Sequence, residues 1–150
     1  MNSPATSRPI VVGIDGSPSS AAALHQGAAL AASLGTGLRV VTCWTVPQFY
    51  NADLRLEETE FEADARTAQE ELLAAAFASG CPVPLERVLR HGRPGHELVA
   101  ASADARLLVL GTRGHNEFVS MLLGSVSLEC IAHAAVPVLT VRAGLHGPDA

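Results

Sequence analysis

Short β-branched runs alternate with longer alanine-rich segments along most of the chain. Ile10-Val11-Val12-Gly13-Ile14-Asp15 is a continuous apolar run ending in a turn, the pattern of a strand buried on both faces. Gly16-Ser17-Pro18-Ser19 then supplies an N-cap and an early helical proline, which predicts a helix to about Leu34, stopped by Gly35-Thr36-Gly37. Leu38 to Trp44 reads as the second strand. After an irregular stretch around Pro47 to Asn51, a helix is expected from about Leu56 to Ser79, ended by Gly80. Pro84 to Arg90 makes the third strand, and Gly92-Arg93-Pro94-Gly95 turns into a short helix from about His96 to Ser102. Arg106 to Gly111 is the fourth strand, a helix follows from about Gly124 to Ala134, and Val136 to Arg142 is the fifth strand.

Five strands alternating with four helices predict an α/β fold with an open, doubly wound parallel sheet covered on both faces. Ligands in such sheets sit outside the carboxyl ends of the strands, where the strand order switches. That places attention on Asp15, Cys43-Trp44, His91-Gly92 and the loop after Gly111. Residues 1–8 and 143–150 read as loose tails around one domain spanning about 9–142.

Composition narrows the chemistry. At 150 residues and 48% apolar content, the chain can bury a core without a disulfide or metal staple. A net charge of −5 argues against a nucleic-acid or anionic-membrane partner, either of which needs a basic face. All ten basic residues are arginine, so a Walker-type phosphate lysine, a Schiff-base lysine and a lysine base are excluded. Cys43, Cys81 and Cys130 are odd in number, widely spaced and without a CxxC, as expected of reduced thiols inside a cell. With no apolar leader and no apolar stretch of membrane-spanning length, the expected setting is soluble and cytoplasmic. Glu57, Glu58, Glu60, Glu62 and Asp64 open the second helix, where its dipole favours them, and read as a solvated face.

The loop after the fourth strand is the most informative segment. It reads Gly111-Thr112-Arg113-Gly114, nine residues, then Gly124-Ser125-Val126-Ser127 at a helix start. Glycines let backbone approach a ligand closely, and a helix N-terminus offers free N–H groups to an anion. On spacing alone, a phosphate cradle and a plain surface loop before a serine-rich helix start fit equally.

Gly-x2-Gly-x9-Gly-Ser resembles the ATP-binding motif of the universal stress protein family. LLGSVS followed by HAAVPVLTVR resembles that family's ending, PIVVGIDGSPSS its opening strand and turn, and GRPGHEL its third crossover. The matches run in the expected order over roughly residues 9 to 142. The resemblance implies an adenine nucleotide-binding, Rossmann-like sheet of order 3-2-1-4-5. It implies that Gly13, Ile14 and Asp15 lie beside adenine and ribose, with Asp15 toward the sugar, and that Cys43 contacts adenine through its backbone. It places Leu110, Gly111 and Gly114 along the ribose and phosphates, with Gly124, Ser125, Val126 and Ser127 cradling the phosphates. The implied ligand is ATP or AMP, with any magnesium held mainly by the phosphates, since the site offers few oxygen ligands. The sequence departs from the family at His115-Asn116-Glu117 and Ser120, where members favour small residues. A carboxylate there works against a triphosphate.

Other signals fail. Gly35-Thr36-Gly37 precedes a strand and lacks a third glycine, so it is no dinucleotide fingerprint. His96-Glu97 lacks a second histidine at position 100, and His91, His96 and His115 match no standard ligand spacing. There is no Gly-x-Ser-x-Gly elbow, and Asp15 has no evident acid or base partner. Cys130 is expected in the core, and His133 as a dipole partner at a helix C-terminus. The reading is an adenine nucleotide-binding regulatory or stress-response module, in which the nucleotide orders the loop from Thr112 to Leu123 for a protein partner. Alternatives are a nucleotide-free interaction dimer of the same fold and a slow ATP hydrolase, against which the missing base–nucleophile pair counts. A homodimer through strand 137–142 is expected. That strand is an edge in the implied order, carries no lysine or glutamate to block pairing, and resembles the strand through which family members dimerise.

Overall fold

The computed structural model describes residues 7–47, 55–112 and 123–144, with the side chains of 55–57 left aside. Its elements are β1 (Ile10–Gly13), α1 (Pro18–Leu34), β2 (Leu38–Trp44), α2 (Arg55–Ala76), β3 (Leu85–His91), α3 (Pro94–Ala101), β4 (Leu107–Gly111), α4 (Ser125–His133) and β5 (Val138–Val141). All strand pairs are parallel, in the order β3-β2-β1-β4-β5. β1 lies at the centre and all four of its residues are buried, as its unbroken apolar run requires.

Strand alternation splits the core in two. Ile10 and Val12 face one side, where they pack with Leu24, Ala28 and Leu73 from α1 and α2. Val11 faces the other, with Leu98 of α3 and Cys130 of α4. The sheet is therefore doubly wound.

Local chemistry sets the helix ends. Ser17 caps α1 by accepting the Ser20 N–H at 3.2 Å, and Pro18 opens the helix. Gly35 closes it in the left-handed region at φ 67°. The helix α3 begins at Pro94, two residues before the position expected from sequence. Arg93 is its extended N-cap and proline is favoured at the first helical position, so Pro94-Gly95 belongs to the helix and not to the turn. The helix α2 ends at Ala76 and continues as a turn to Ser79, while β5 is shorter at both ends than its apolar run. Glu58, Glu60 and Asp64 on α2 are exposed, Cys130 is fully buried, and His133 sits in the last turn of α4, all as expected.

Two polar clusters tie the layers together. The buried Gln69 amide of α2 donates to the carbonyls of Val40 (3.4 Å) and Val88 (3.0 Å) and to the Thr42 hydroxyl (3.1 Å), joining α2 to β2 and β3. On the opposite face of the sheet, Arg39 pairs with Glu86 at 2.8 Å and Asp104 at 2.7 Å and donates to the Ala101 carbonyl at the end of α3. Hydrogen bonding to Asp104 holds the guanidinium pKa above its ordinary value, and the same contact holds the Asp104 carboxyl below its own.

Candidate functional site

In this strand order, β1 and β4 are neighbours whose connections leave in opposite directions, and a cleft opens at their carboxyl ends. Its cavity volume is about 90 Å³. Gly13, Ile14 and Asp15 form one wall and Leu110 and Gly111 another. Cys43 lies on the floor, and Gly124, Val126 and Ser127 close the side beneath α4. Nine of the eleven residues named from sequence thus meet in one place. Ser125 is exposed at the start of α4 and does not line the cleft. Gly114 lies outside the described residues, as do Glu117 and the rest of 113–122.

The turn after β1 is held rigid by its own side chains. Asp15 Oδ1 accepts the Ser17 N–H at 2.9 Å, Ser20 Oγ accepts the Asp15 N–H at 3.3 Å, and Ser20 Oγ donates to the Ser17 carbonyl at 3.0 Å. Gly16 sits at φ 84°, a conformation side chains resist, which lets the chain reverse here. The Asp15 side chain therefore works inside its own turn while the residue remains exposed at the cleft mouth.

Two glycines in the cleft wall are explained by packing. A Cβ on Gly111 would overlap Ser19 of α1, with the Ser19 carbonyl carbon at 2.7 Å. A Cβ on Gly13 would lie 2.8–2.9 Å from methyl groups of Leu110 and Leu98. The first contact is with the Ser19 side chain and backbone together, and the second with side-chain ends alone.

The N-cap of α4 is Gly124, whose N–H donates to the Thr112 carbonyl, while Ser127 Oγ donates to the Gly111 carbonyl at 2.7 Å. These two bonds fix the first turn of α4 over the end of β4. That turn carries N–H groups that no helical carbonyl can accept, and they lend the cleft a positive partial charge.

Five lining residues were not named from sequence: Ser17, Ser20, Val41, Pro94 and Leu98. Val41 was within reach, because it precedes Cys43 by two residues on the same strand and so shares its face. Among the lining residues Asp15 is the one carboxylate, and among the described residues no group of three or more His, Cys, Asp or Glu could hold a metal ion. Cys43 Sγ approaches the Pro94 carbonyl at 4.0 Å and Cys130 Sγ the Gly95 carbonyl at 3.9 Å. Burial, reinforced by the Glu97 charge, pushes the Cys43 thiol up to about 12, and burial beside Glu129 pushes Cys130 up to about 11. Both are neutral, poorly nucleophilic thiols at physiological pH. Beyond the floor, Trp44 stacks on His91 with ring centroids 4.1 Å apart and planes 5° from parallel, at the paired ends of β2 and β3.

The universal stress protein family model matches residues 6–142. The chain belongs to the universal stress protein family. A universal stress protein of Mycobacterium tuberculosis is 35% identical over 134 residues, covering 89% of this chain and 45% of that protein. A second from the same species is 32% identical over 147 residues, covering 95% and 51%. The chain thus spans about half the length of these relatives. Among solved structures, a universal stress protein of Lactobacillus plantarum superposes with a TM-score of 0.77 at 21% identity, covering 90% of this chain and 97% of that one. Another, crystallised in complex with cAMP, gives 0.67 at 28% identity, covering 91% and 98%.

Proposed function

We propose that the cleft binds an adenine nucleotide, ATP or AMP, and that the chain acts as a cytoplasmic regulatory or stress-response module. The observation that carries this reading is the convergence of Gly13–Asp15, Cys43, Leu110-Gly111 and the start of α4 on one cleft at the strand-order switch. Its floor of Val41, Cys43, Leu98 and Leu110 suits a flat, apolar base. The α4 N-terminus suits phosphate, offering backbone N–H groups while the Ser127 proton is engaged by Gly111. The cAMP complex of a relative 28% identical supports an adenine ligand. Magnesium, where it accompanies ATP, is held mainly by the phosphates, since the cleft offers few oxygen ligands. Gly114 and Ser125 complete the phosphate side in this proposal.

The chain pairs with a second copy through strand 137–142, and the nucleotide-dependent loop contacts a protein partner. Support for the dimer lies in β5, which occupies the sheet edge and has no charged residue, with Pro137 just before it where an edge tolerates proline. No helix among the described residues is long and apolar enough to cross a membrane.

The test is ligand-linked stability. Mg-ATP at 100 times its Kd adds about 2.7 kcal/mol. In a domain of this size that raises Tm by about 5–10 °C. No shift with ATP, AMP or cAMP at millimolar concentration would remove the nucleotide from the proposal.

A further inference from the structure

At the rim of the cleft, three neighbouring elements hold the start of α3. Cys43 Sγ of β2 lies 4.0 Å from the Pro94 carbonyl, and Cys130 Sγ of α4 lies 3.9 Å from that of Gly95. Glu97 pairs with Arg90 of β3 at 3.0 Å. Across the seam between the two helices, Arg93 Nη1 donates to Glu129 Oε1 of α4 at 2.9 Å. Glu129 lies so close over the α3 backbone that a Cβ on Gly95 would overlap its carboxylate, with Glu129 Cγ at 3.0 Å. Alanine is the better helix former, so the glycine here makes room for that carboxylate. The seam crosses the cleft: Pro94 and Leu98 of α3 line one side, and Gly124, Val126 and Ser127 at the start of α4 line another. The cavity between them is about 90 Å³, whereas sites that enclose a small molecule run from about 300 Å³ upward. A nucleotide therefore enters only when the walls part. The strands are tied to one another by parallel ladders, which leaves the α3–α4 seam as the wall that can move.

We infer that the Arg93–Glu129 pair, seated over Gly95, is a strap that holds the cleft closed and sets how readily α3 parts from α4 to admit a ligand. The inference rests on the proposed nucleotide site for the identity of that ligand. Arg93 is exposed and Glu129 half-buried, so the pair is one that water and salt can compete for. Such a pair shifts an opening equilibrium by a factor of about 2 to 5, enough to bias the cleft without locking it. Cys43 records the opening, because its thiol lies on the cleft floor beside the Pro94 carbonyl that must move. Cys81 packs against the core on the other face of the sheet and stands outside the seam. Cys130 is a poorer reporter, since Glu129 itself acts on its thiol.

Alkylation by iodoacetamide, followed at each cysteine by mass spectrometry on the full chain without nucleotide, tests this. Glu129→Ala is expected to speed Cys43 labelling about 2- to 5-fold, while Cys81, which reports any general loosening, keeps its rate. Gly95→Ala displaces the carboxylate and is expected to do the same, and the double variant to exceed Glu129→Ala by nothing further. Added salt is expected to speed Cys43 labelling more in the wild type than in Glu129→Ala. Unchanged Cys43 rates in both single variants, or a rise shared equally by Cys81, overturns the strap. Calorimetric titration of ATP into the same proteins separates this inference from the ligand it rests on. A 2- to 5-fold tighter ATP is expected in Glu129→Ala, and also in Gly95→Ala, which keeps the charge. Faster Cys43 labelling with no ATP binding in any protein keeps the strap and removes the nucleotide, and ATP binding with unchanged Cys43 labelling does the reverse.

Discussion

Gly111→Ala isolates what the cleft glycines do before any ligand arrives. The added methyl would meet Ser19, including backbone that cannot rotate away, where α1 crosses the end of β4. Relief requires a shift of α1 against the sheet, and α1 carries Ala23, Leu24, Ala28 and Ala31 into the core. Overpacking of this kind costs about 1–3 kcal/mol, and the backbone contact places Gly111→Ala at the upper end. That corresponds to a fall in Tm of about 5–10 °C. Gly13→Ala meets only methyl groups of Leu98 and Leu110, which can change rotamer, so about 1 kcal/mol is expected. Thermal and urea unfolding of the two variants without nucleotide gives the comparison directly. Equal stability of Gly111→Ala and wild type, or a larger loss in Gly13→Ala, would refute the close crossing of α1 over β4 as the reason for the glycine.

Other consequences can be measured alongside. Gln69→Ala removes the side-chain hydrogen bonds that join α2 to β2 and β3 and is expected to cost about 1–2 kcal/mol in urea unfolding; a loss below about 0.5 kcal/mol would mean that water replaces the amide freely. The raised Cys43 and Cys130 pKa values mean that the unfolded chain ionises first on the alkaline side. Their contribution is thus complete below pH 9 and declines as pH rises toward 12 and 11; Cys43→Ala with Cys130→Ala should flatten that decline, and an unchanged slope would assign it elsewhere. Glu117→Gly is expected to tighten ATP about 3- to 10-fold at low salt and AMP less, as calorimetry would show; equal affinities would make Glu117 a bystander.

The apolar runs made the strands legible, because a sheet covered on both faces leaves β1 and β4 no solvent side on which polar residues could alternate. Glycine and proline marked most boundaries, but Pro94-Gly95 reads equally as a turn or a helix start, and only the extended Arg93 backbone decides it. The family resemblance named nine residues that the fold brings to the cleft. Ser17, Ser20, Pro94 and Leu98 join them from α1 and α3, elements whose positions depend on how the crossovers pack, which no local pattern encodes. The Trp44–His91 stack depends on β2–β3 register in the same way. Gln69 left a fainter trace: it lies in helical phase with Leu73 and Ala76, so a polar residue in a buried stripe was visible, but its carbonyl partners on two strands were not.

Nucleotide binding in the cleft is tested most directly by calorimetric titration of ATP into the wild-type chain and into Val126→Trp, whose indole would fill the space beneath α4. One saturable site per chain in the wild type, lost in a folded Val126→Trp, is the expected result. Silence in the wild type, or equal binding in both, would contradict the cleft as the nucleotide site.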